Sequence, residues 1–418
     1  MDSICDRRIR MKMRELEFTE GGVCAAKGFS ASGIHCGIRA GKTKKDLSLI
    51  FSEKRAAAAA VYTTNLVKGA PLAVTKRHLA DGYARAVICN SGNANTCNAG
   101  GEEVAEITCS ALAKELGISS DDVIVASTGV IGQPLDFRPI VAGIPALVSS
   151  LGKNSRDCAE GIMTTDTKLK EVAVSFTAGG RECRLGGIAK GSGMISPNMA
   201  TMLVFLTTDC AISPAMLSRA LRTDIPKTFN LLSVDGDTST NDMVAVMANG
   251  MAGNDEITGE GEDYSAFCLA LNSVTVWLCR HIAGDGEGAT KLLECRVSGA
   301  PDQKTADTAA KSVIQSSLVK AAMFGADANW GRILCAVGYS GADVDPSKID
   351  VSFASAAGEI EVCRQGAGVD FSEEEAKKIL LEKEIDIIVR LGDGEFSSTA
   401  WGCDLTYDYV KINGDYRT

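Results

Sequence analysis

Short apolar runs and amphipathic stretches alternate along the 418 residues. LSLIF (Leu47–Phe51) and ARAVICN (Ala84–Asn90) are compact apolar runs, which predicts buried or half-buried strands. Between 101 and 118, GEEVAEITCSALAKELGI sets Val104, Ile107, Ala111, Leu112 and Leu116 at helical spacing, with acids in the first turn and Gly117 as a stop. DDVIVASTGVIG then reads as a strand running into a turn. Asp263–Gly284 is apolar nearly all round, which predicts a helix buried between layers. TADTAAKSVIQSSLVKAAMFG (305–325) and EEEAKKILLEKE (373–384) read as two more helices. No low-complexity linker and no repeat at solenoid spacing interrupts this order. The pattern predicts a mixed α/β sandwich, helices covering sheets, without a linker to mark domains.

One stretch joins two unlike halves. KGSGMISPNMATMLVFLTTD, Lys190–Asp209, begins as a Gly/Ser-rich turn and ends as an apolar, β-branched run. Thr201 sits on the seam, directly after Ala200. A threonine hydroxyl is a poor nucleophile until a base takes its proton. Cutting the backbone before Thr201 would create such a base, because an α-amine has a pKa of about 8 and stays within reach of its own hydroxyl. The cut could follow attack of Thr201 on the Ala200 carbonyl, turning the amide into an ester that water opens. The alternative is a strand-start hydroxyl satisfied by a nearby carbonyl, and residue type alone favours it.

Composition narrows the chemistry. The length favours two or three units. With 45% apolar and 23% charged residues the chain has the make-up of a soluble globular protein. A net charge of −10 and a pI near 5.1 argue against nucleic-acid or membrane-surface partners. The fifteen cysteines are scattered without a CxxC pair, as in the reduced core of a cytosolic, cytoplasmic protein. MDSICDRRIRMKMRELEF is too charged for a signal peptide, and residues 1–14 read as a loose extension or a mis-assigned start. No apolar run approaches membrane-spanning length, AAAAAVY (Ala56–Tyr62) being the nearest. Three histidines, His35, His78 and His281, leave little material for His-based triads or metal sites. Acid–base work must then come from carboxylates, lysines or an amine.

Four glycine-rich turns need separate readings. GIRAGKT (Gly37–Thr43) is one residue too short for a phosphate-cradling loop and precedes the first convincing strand, so it reads as a surface turn. GDGEG (Gly284–Gly288) lacks the preceding strand of a dinucleotide site and reads as a turn that aims Glu287. NSGNANTCNAG (Asn90–Gly100) is either a plain loop or the floor of a pocket. ASTGVIG (Ala126–Gly132) ends a strand with a hydroxyl and a glycine, the hardware of an oxyanion hole.

KGSGMISPNMATML, together with ASTGVIG, IMTTDT, GDGEGATK, ANWGRILCAVGYSG and YVKINGDYRT, resembles the ornithine acetyltransferase (ArgJ) family of glutamate N-acetyltransferases. The resemblance runs from about Leu16 to the last residue, with the motifs in family order. It implies a precursor that cleaves itself between Ala200 and Thr201 into an α chain, 1–200, and a β chain, 201–418, assembled as two α and two β chains. It implies the four-layer α/β/β/α sandwich of the self-processing aminopeptidases. It implies transfer of acetyl from N-acetylornithine to glutamate through an ester on Thr201, with the α-amine as base and Thr128 and Gly129 holding the oxyanion. Thr164, Lys190, Thr201, Glu287, Asn413 and Thr418 are then substrate-binding, with Thr165 or Thr167 as alternatives to Thr164. No metal or organic cofactor is implied, and use of acetyl-CoA as a second donor stays open, as does inhibition by arginine or ornithine. A self-processing amidase or aminopeptidase with the same nucleophile, and an uncleaved binding protein, are the competing classes. A functional Thr418 predicts intolerance of C-terminal changes: removing Thr418 should lower transferase activity, and undiminished turnover in a transferase assay would refute its role.

Overall fold

The computed structural model describes residues 16–39, 41, 43–196 and 202–415. Ten strands precede the long central helix: β1 (Glu17–Thr19), β2 (Phe29–Ile34), β3 (Leu47–Tyr62), β4 (Tyr83–Asn90), β5 (Val123–Ser127), β6 (Lys170–Ala178), β7 (Arg181–Lys190), β8 (Leu203–Thr208), β9 (Leu232–Ser233) and β10 (Met243–Ala248). All but β9 form one nine-stranded sheet, ordered β1-β6-β7-β8-β10-β3-β4-β5 with β2 paired to β3. The remaining strands are β11 (Leu292–Ala300), β12 (Asp350–Ser355), β13 (Gly358–Arg364), β14 (Ala367–Gly368), β15 (Glu384–Arg390) and β16 (Phe396–Cys403). With β9 they make a second sheet, ordered β14-β13-β12-β15-β11-β16-β9.

The strand expected at Leu47–Phe51 is only the start of β3, which continues through the alanine run. Its first part pairs with β4 and its last part with β10, and the β3–β4 register slips between Phe51 and Ala56. Alanine suits this course because both faces of the strand are packed and larger side chains would push the layers apart. Strand β8 is buried on both faces too, which explains its unbroken apolar run. Leu203 and Phe205 enter one core, and Val204 and Leu206 enter another.

Three buried cores separate the layers. Helices Ala70–His78, Gly101–Leu116 and Arg138–Ser149 cover β4 and β5 through Val74, Leu112 and Ile144. The opposite face, with Val87 and Ile124, packs with Phe205, Ala245 and Met247 of β8 and β10. Beyond that, Val204 and Val246 meet helices Pro214–Asp224 and Glu262–Ala283. This is the α/β/β/α stacking expected. The second sheet adds to it, sharing the same core through Leu293 and Val297. Because β9 lies in sequence between β8 and β10 of the first sheet yet joins the second, the two sheets do not divide into the separate units that length favoured. The missing linker follows from that interleaving.

Several expectations shift in detail. Helix Gly101–Leu116 and its stop at Gly117 stand, but its buried stripe is Ala105, Thr108, Cys109, Leu112 and Ala113; Val104, Ile107, Ala111 and Leu116 are half-buried. Helix Glu262–Ala283 is 22 residues and apolar enough to cross a membrane, contrary to the reading that no run approaches that length. Phe267, Leu271, Val274, Leu278 and Ile282 are nevertheless fully buried in the shared core, so it is a core helix. GIRAGKT follows β2 and feeds β3, so its neighbours are strands on both sides. EEEAKKILLEKE stops being helical at Leu380 and its last residue opens β15. The described cysteines are all free thiols.

The segment 305–325 is two helices, Gln303–Gln315 and Ser317–Phe324. Ser316 is extended between them and its hydroxyl accepts from the Val319 amide, starting the second helix as its N-cap. Replacing Ser316 with Ala should cost about 1 kcal/mol, read as a lowered urea midpoint at unchanged slope.

Candidate active site

The head of β8 is pinned from both sides. Met202 accepts at its carbonyl from the Met243 amide, and Leu203 pairs with Met243 of parallel β10 and Lys190 of antiparallel β7. Upstream, Asp235 accepts from the Met194 and Ile195 amides, and Thr238 and Gln315 hold Ser196. Ala200 and Thr201 lie between these anchors and outside the described residues, as do Thr418 and residues 1–14.

A cleft of about 150 Å³ opens at this point. Thr128, Gly129, Thr164, Lys190, Glu287 and Asn413 all line it, beside Met202 and Leu203. Residues from five separate motifs, far apart in sequence, thus share one cavity. The three histidines lie elsewhere: His78 is bonded to the Val123 carbonyl, His35 faces Asp46, and His281 stacks on Trp277.

Strand β5 delivers the first wall. After Ser127 the Thr128 amide donates to the Asn90 carbonyl, and Gly129 adopts a φ of 126°. A Cβ at Gly129 would stand 2.6 Å from the Gly92 carbonyl carbon and 2.8 Å from the Asn93 nitrogen, so only glycine lets the two loops touch. Ala94 of NSGNANTCNAG lines the cleft, so this loop forms part of the pocket rather than a plain loop. Asn241 ties it down, its side-chain amide donating to the Ala94 and Ser127 carbonyls.

The second wall is held by a buried ion cluster. Lys170, on β6, lies 2.8 Å from Asp166 and 2.6 Å from Asp285, all three side chains sealed from solvent. Asp166 also accepts from the Thr164 and Gly191 amides, at 3.0 and 2.7 Å. Asp285 accepts from the Thr167 hydroxyl and from the amides of Thr167 and Lys168. One lysine thereby fastens the IMTTDT loop, the end of β7 and the GDGEG turn together. Burial raises the Asp166 carboxyl, but the Lys170 and Lys190 charges and its hydrogen bonds outweigh it and hold the pKa at about 2.

From this clamp the polar groups fan into the cleft. Thr164 and Thr165 line it, whereas Thr167 is spent on Asp285 and faces a neighbouring hollow of about 510 Å³. Lys190 places its ammonium 3.5 Å from the Thr128 hydroxyl. Glu287 is set by its backbone amide, which donates a hydrogen bond to the Ser192 carbonyl, and its carboxylate accepts from Asn413 at 2.8 Å. Gly193 makes room, since a Cβ there would lie 2.4 Å from that carboxylate.

The structure adds residues that the sequence reading passed over: Ser239, Thr240, Asn241 and Asp242 line the same cleft. Asp242 is 2% exposed, and burial pushes its carboxyl well above the ordinary range against the pull of Ser239, Lys190 and Thr63. TSTNDMVAVMA offered the signal, because it repeats the polar-turn-into-apolar-strand seam seen at Thr201.

A hydroxyl, a glycine backbone, one cation and two carboxylates around the start of a strand suit acyl transfer between small zwitterions. The ArgJ family model matches residues 30–418. The chain belongs to the ArgJ family. It is 50% identical over 405 residues to the arginine biosynthesis bifunctional protein ArgJ of Caldanaerobacter subterraneus subsp. tengcongensis, covering 96% of this chain and all of that one. It is also 50% identical over 392 residues to ArgJ 1 of Clostridium acetobutylicum, covering 93% and 96%. A crystal structure of the ArgJ protein of Bacillus halodurans is 47% identical, with a TM-score of 0.48 over 51% of this chain and 98% of that one. As an ArgJ member the chain is an acyltransferase of arginine biosynthesis.

The ion cluster makes a stability prediction. Replacing Lys170 with Met strands two buried carboxylates and should cost about 3–5 kcal/mol, measured by denaturant unfolding. Asp166 is depressed in the fold, so its contribution is present above the unfolded pKa of about 4. That part should be lost as pH falls from about 4 through about 2 in the wild type.

Proposed function

We propose that this ArgJ protein cuts itself between Ala200 and Thr201 and then moves acetyl groups from N-acetylornithine to glutamate by a ping-pong route. The observation that carries the reading is the single cleft joining Thr128, Gly129, Lys190, Glu287 and Asn413 to Met202, the residue that follows Thr201. The Thr201 hydroxyl attacks the acetyl carbonyl and gives its proton to the adjacent α-amine. Thr128 and the Gly129 amide hold the developing oxyanion. The amine passes the proton to the departing ornithine nitrogen as the C–N bond breaks. Glutamate then enters, its amine attacks the acetyl ester, and the C–O bond to Thr201 breaks to restore the hydroxyl. Lys190 meets a substrate carboxylate, and Glu287, positioned by Asn413, meets an ammonium. Thr164 and Thr418 complete the substrate contacts.

Antiparallel β7 and parallel β10 hydrogen-bond β8 along its whole length, which supports two chains that stay together after the cut. The α chain is then 1–200 and the β chain 201–418, assembled as two of each in the cytoplasm. Relatives carry the name bifunctional, and on that ground we add acetyl-CoA as a second donor. The chemistry needs no metal or organic cofactor.

Intact mass of the wild type should give two fragments, the second beginning at Thr201, and Thr201→Ala should stay whole. Thr128→Ala should lower kcat for acetyl transfer by about 10²–10³-fold. A wild type that remains one chain while active, or acetyl release to water outpacing transfer to glutamate, would refute the assignment.

A further inference from the structure

Asp242 is a buried carboxyl that neither the ion cluster nor the proposed acetyl-transfer steps use. Its Oδ2 is buried and has no hydrogen-bond partner among the described residues. Orphaned carboxyl oxygens at such depth are uncommon, because leaving one unpaired costs the lost hydration without return. Asp242 also lines the active cleft, with Met202 and Leu203. Thr63 and Ser239 hydroxyls face it from the residue after β3 and the preceding turn, and Lys190 attracts it from β7. Lys190 forms no ion pair with it, its ammonium being 3.5 Å from Thr128 instead. Glu287 is the other carboxylate of the cleft and is already bonded to Asn413.

The register places the chemistry. Met243 pairs with Leu203 in a parallel ladder, and the Met243 amide donates to the Met202 carbonyl. Asp242 immediately precedes Met243, which places it on the cleft wall at the head of β8, where acetyl transfer is proposed. Backbone amides on neighbouring elements are already committed to the ladder. What this acceptor lacks is a positively charged N–H donor.

We propose that Asp242 is the counter-ion of a primary ammonium in the cleft, its Oδ2 receiving an N–H from that group. Two amines have this chemistry: the α-amine freed by the cleavage proposed above, and the amino group of the ornithine or glutamate substrate. The carboxyl, kept neutral while burial is uncompensated, becomes carboxylate facing ammonium: its proton passes to an amine that arrives neutral, and to solvent when the group arrives already as ammonium. The enzyme's own amine would make Asp242 a positioning residue, setting the basicity of the nucleophile's base.

Asp242→Asn keeps the size of the side chain and removes its charge, and the pH profile separates the sources. A carboxylate beside the α-ammonium stabilises the protonated form, so the acid limb of kcat/KM should move to lower pH by about one unit in the variant. If the substrate ammonium is the partner, the limb stays and KM for N-acetylornithine or glutamate rises at least about tenfold. An unchanged limb with unchanged KM, whatever happens to kcat, overturns the proposal. Should the variant fail to fold, aspartate-labelled infrared difference spectra of the wild type serve. The protonated carboxyl band of uncut Thr201→Ala should vanish in the mature, substrate-saturated enzyme, and its persistence there overturns the proposal. The α-amine arm rests on self-cleavage, and the mass of the same preparations reports cleavage separately. An uncut wild type therefore sinks that reading while the KM arm still tests Asp242.

Discussion

The Lys170 ammonium between Asp166 and Asp285 is the contact on which the site depends. Taking three charges out of water is costly, and the mutual attraction offsets this only when every remaining donor and acceptor is satisfied. Here they are, by the amides of Thr164, Thr167, Lys168 and Gly191. The consequence is geometric more than energetic. Two turns without regular structure and the end of β7 are fixed to one point on β6, so Thr164 and Glu287 converge on Lys190 without a helix or strand of their own to carry them.

A second constraint is backbone proximity. Gly129 against Gly92 and Asn93, and Gly193 against Glu287, are places where a single methyl would separate walls that must touch. Asn241 bridges the loop after β4 and the end of β5 to the head of β10. The Thr128–Gly129 turn, the Asn90–Gly100 loop and the segment that bears Asp242 are thereby tied together. A rigid surround of this kind is what an acyl-transfer site needs, because donors aimed at a developing charge help only if they need not reorganise.

Much of this was legible in the chain. Gly117 ending a helix, the doubly buried run of β8 and the turn presenting Glu287 follow from local rules of backbone freedom and apolar spacing. Thr128, Gly129 and Glu287 were singled out from turn chemistry, and family resemblance gave Thr164, Lys190 and Asn413 their roles. The pocket role of Asn90–Gly100 was left undecided, since its residues suit any loop. The helix break at Ser316 was missed because apolar spacing continues across it.

The sequence by itself determined the family, the alternation of strands and helices, and the cleft residues Thr128, Gly129, Thr164, Lys190, Glu287 and Asn413, because motifs and periodicities are local. Only the tertiary structure decided that β3 runs on through its alanines, that Thr167 faces Asp285, and that the two sheets share a core. It alone brought Asp242 beside the head of β8. The physical reason is the same in each case: these depend on which distant strand or charge arrives opposite, and register between segments forty or a hundred residues apart leaves no periodic trace in either one.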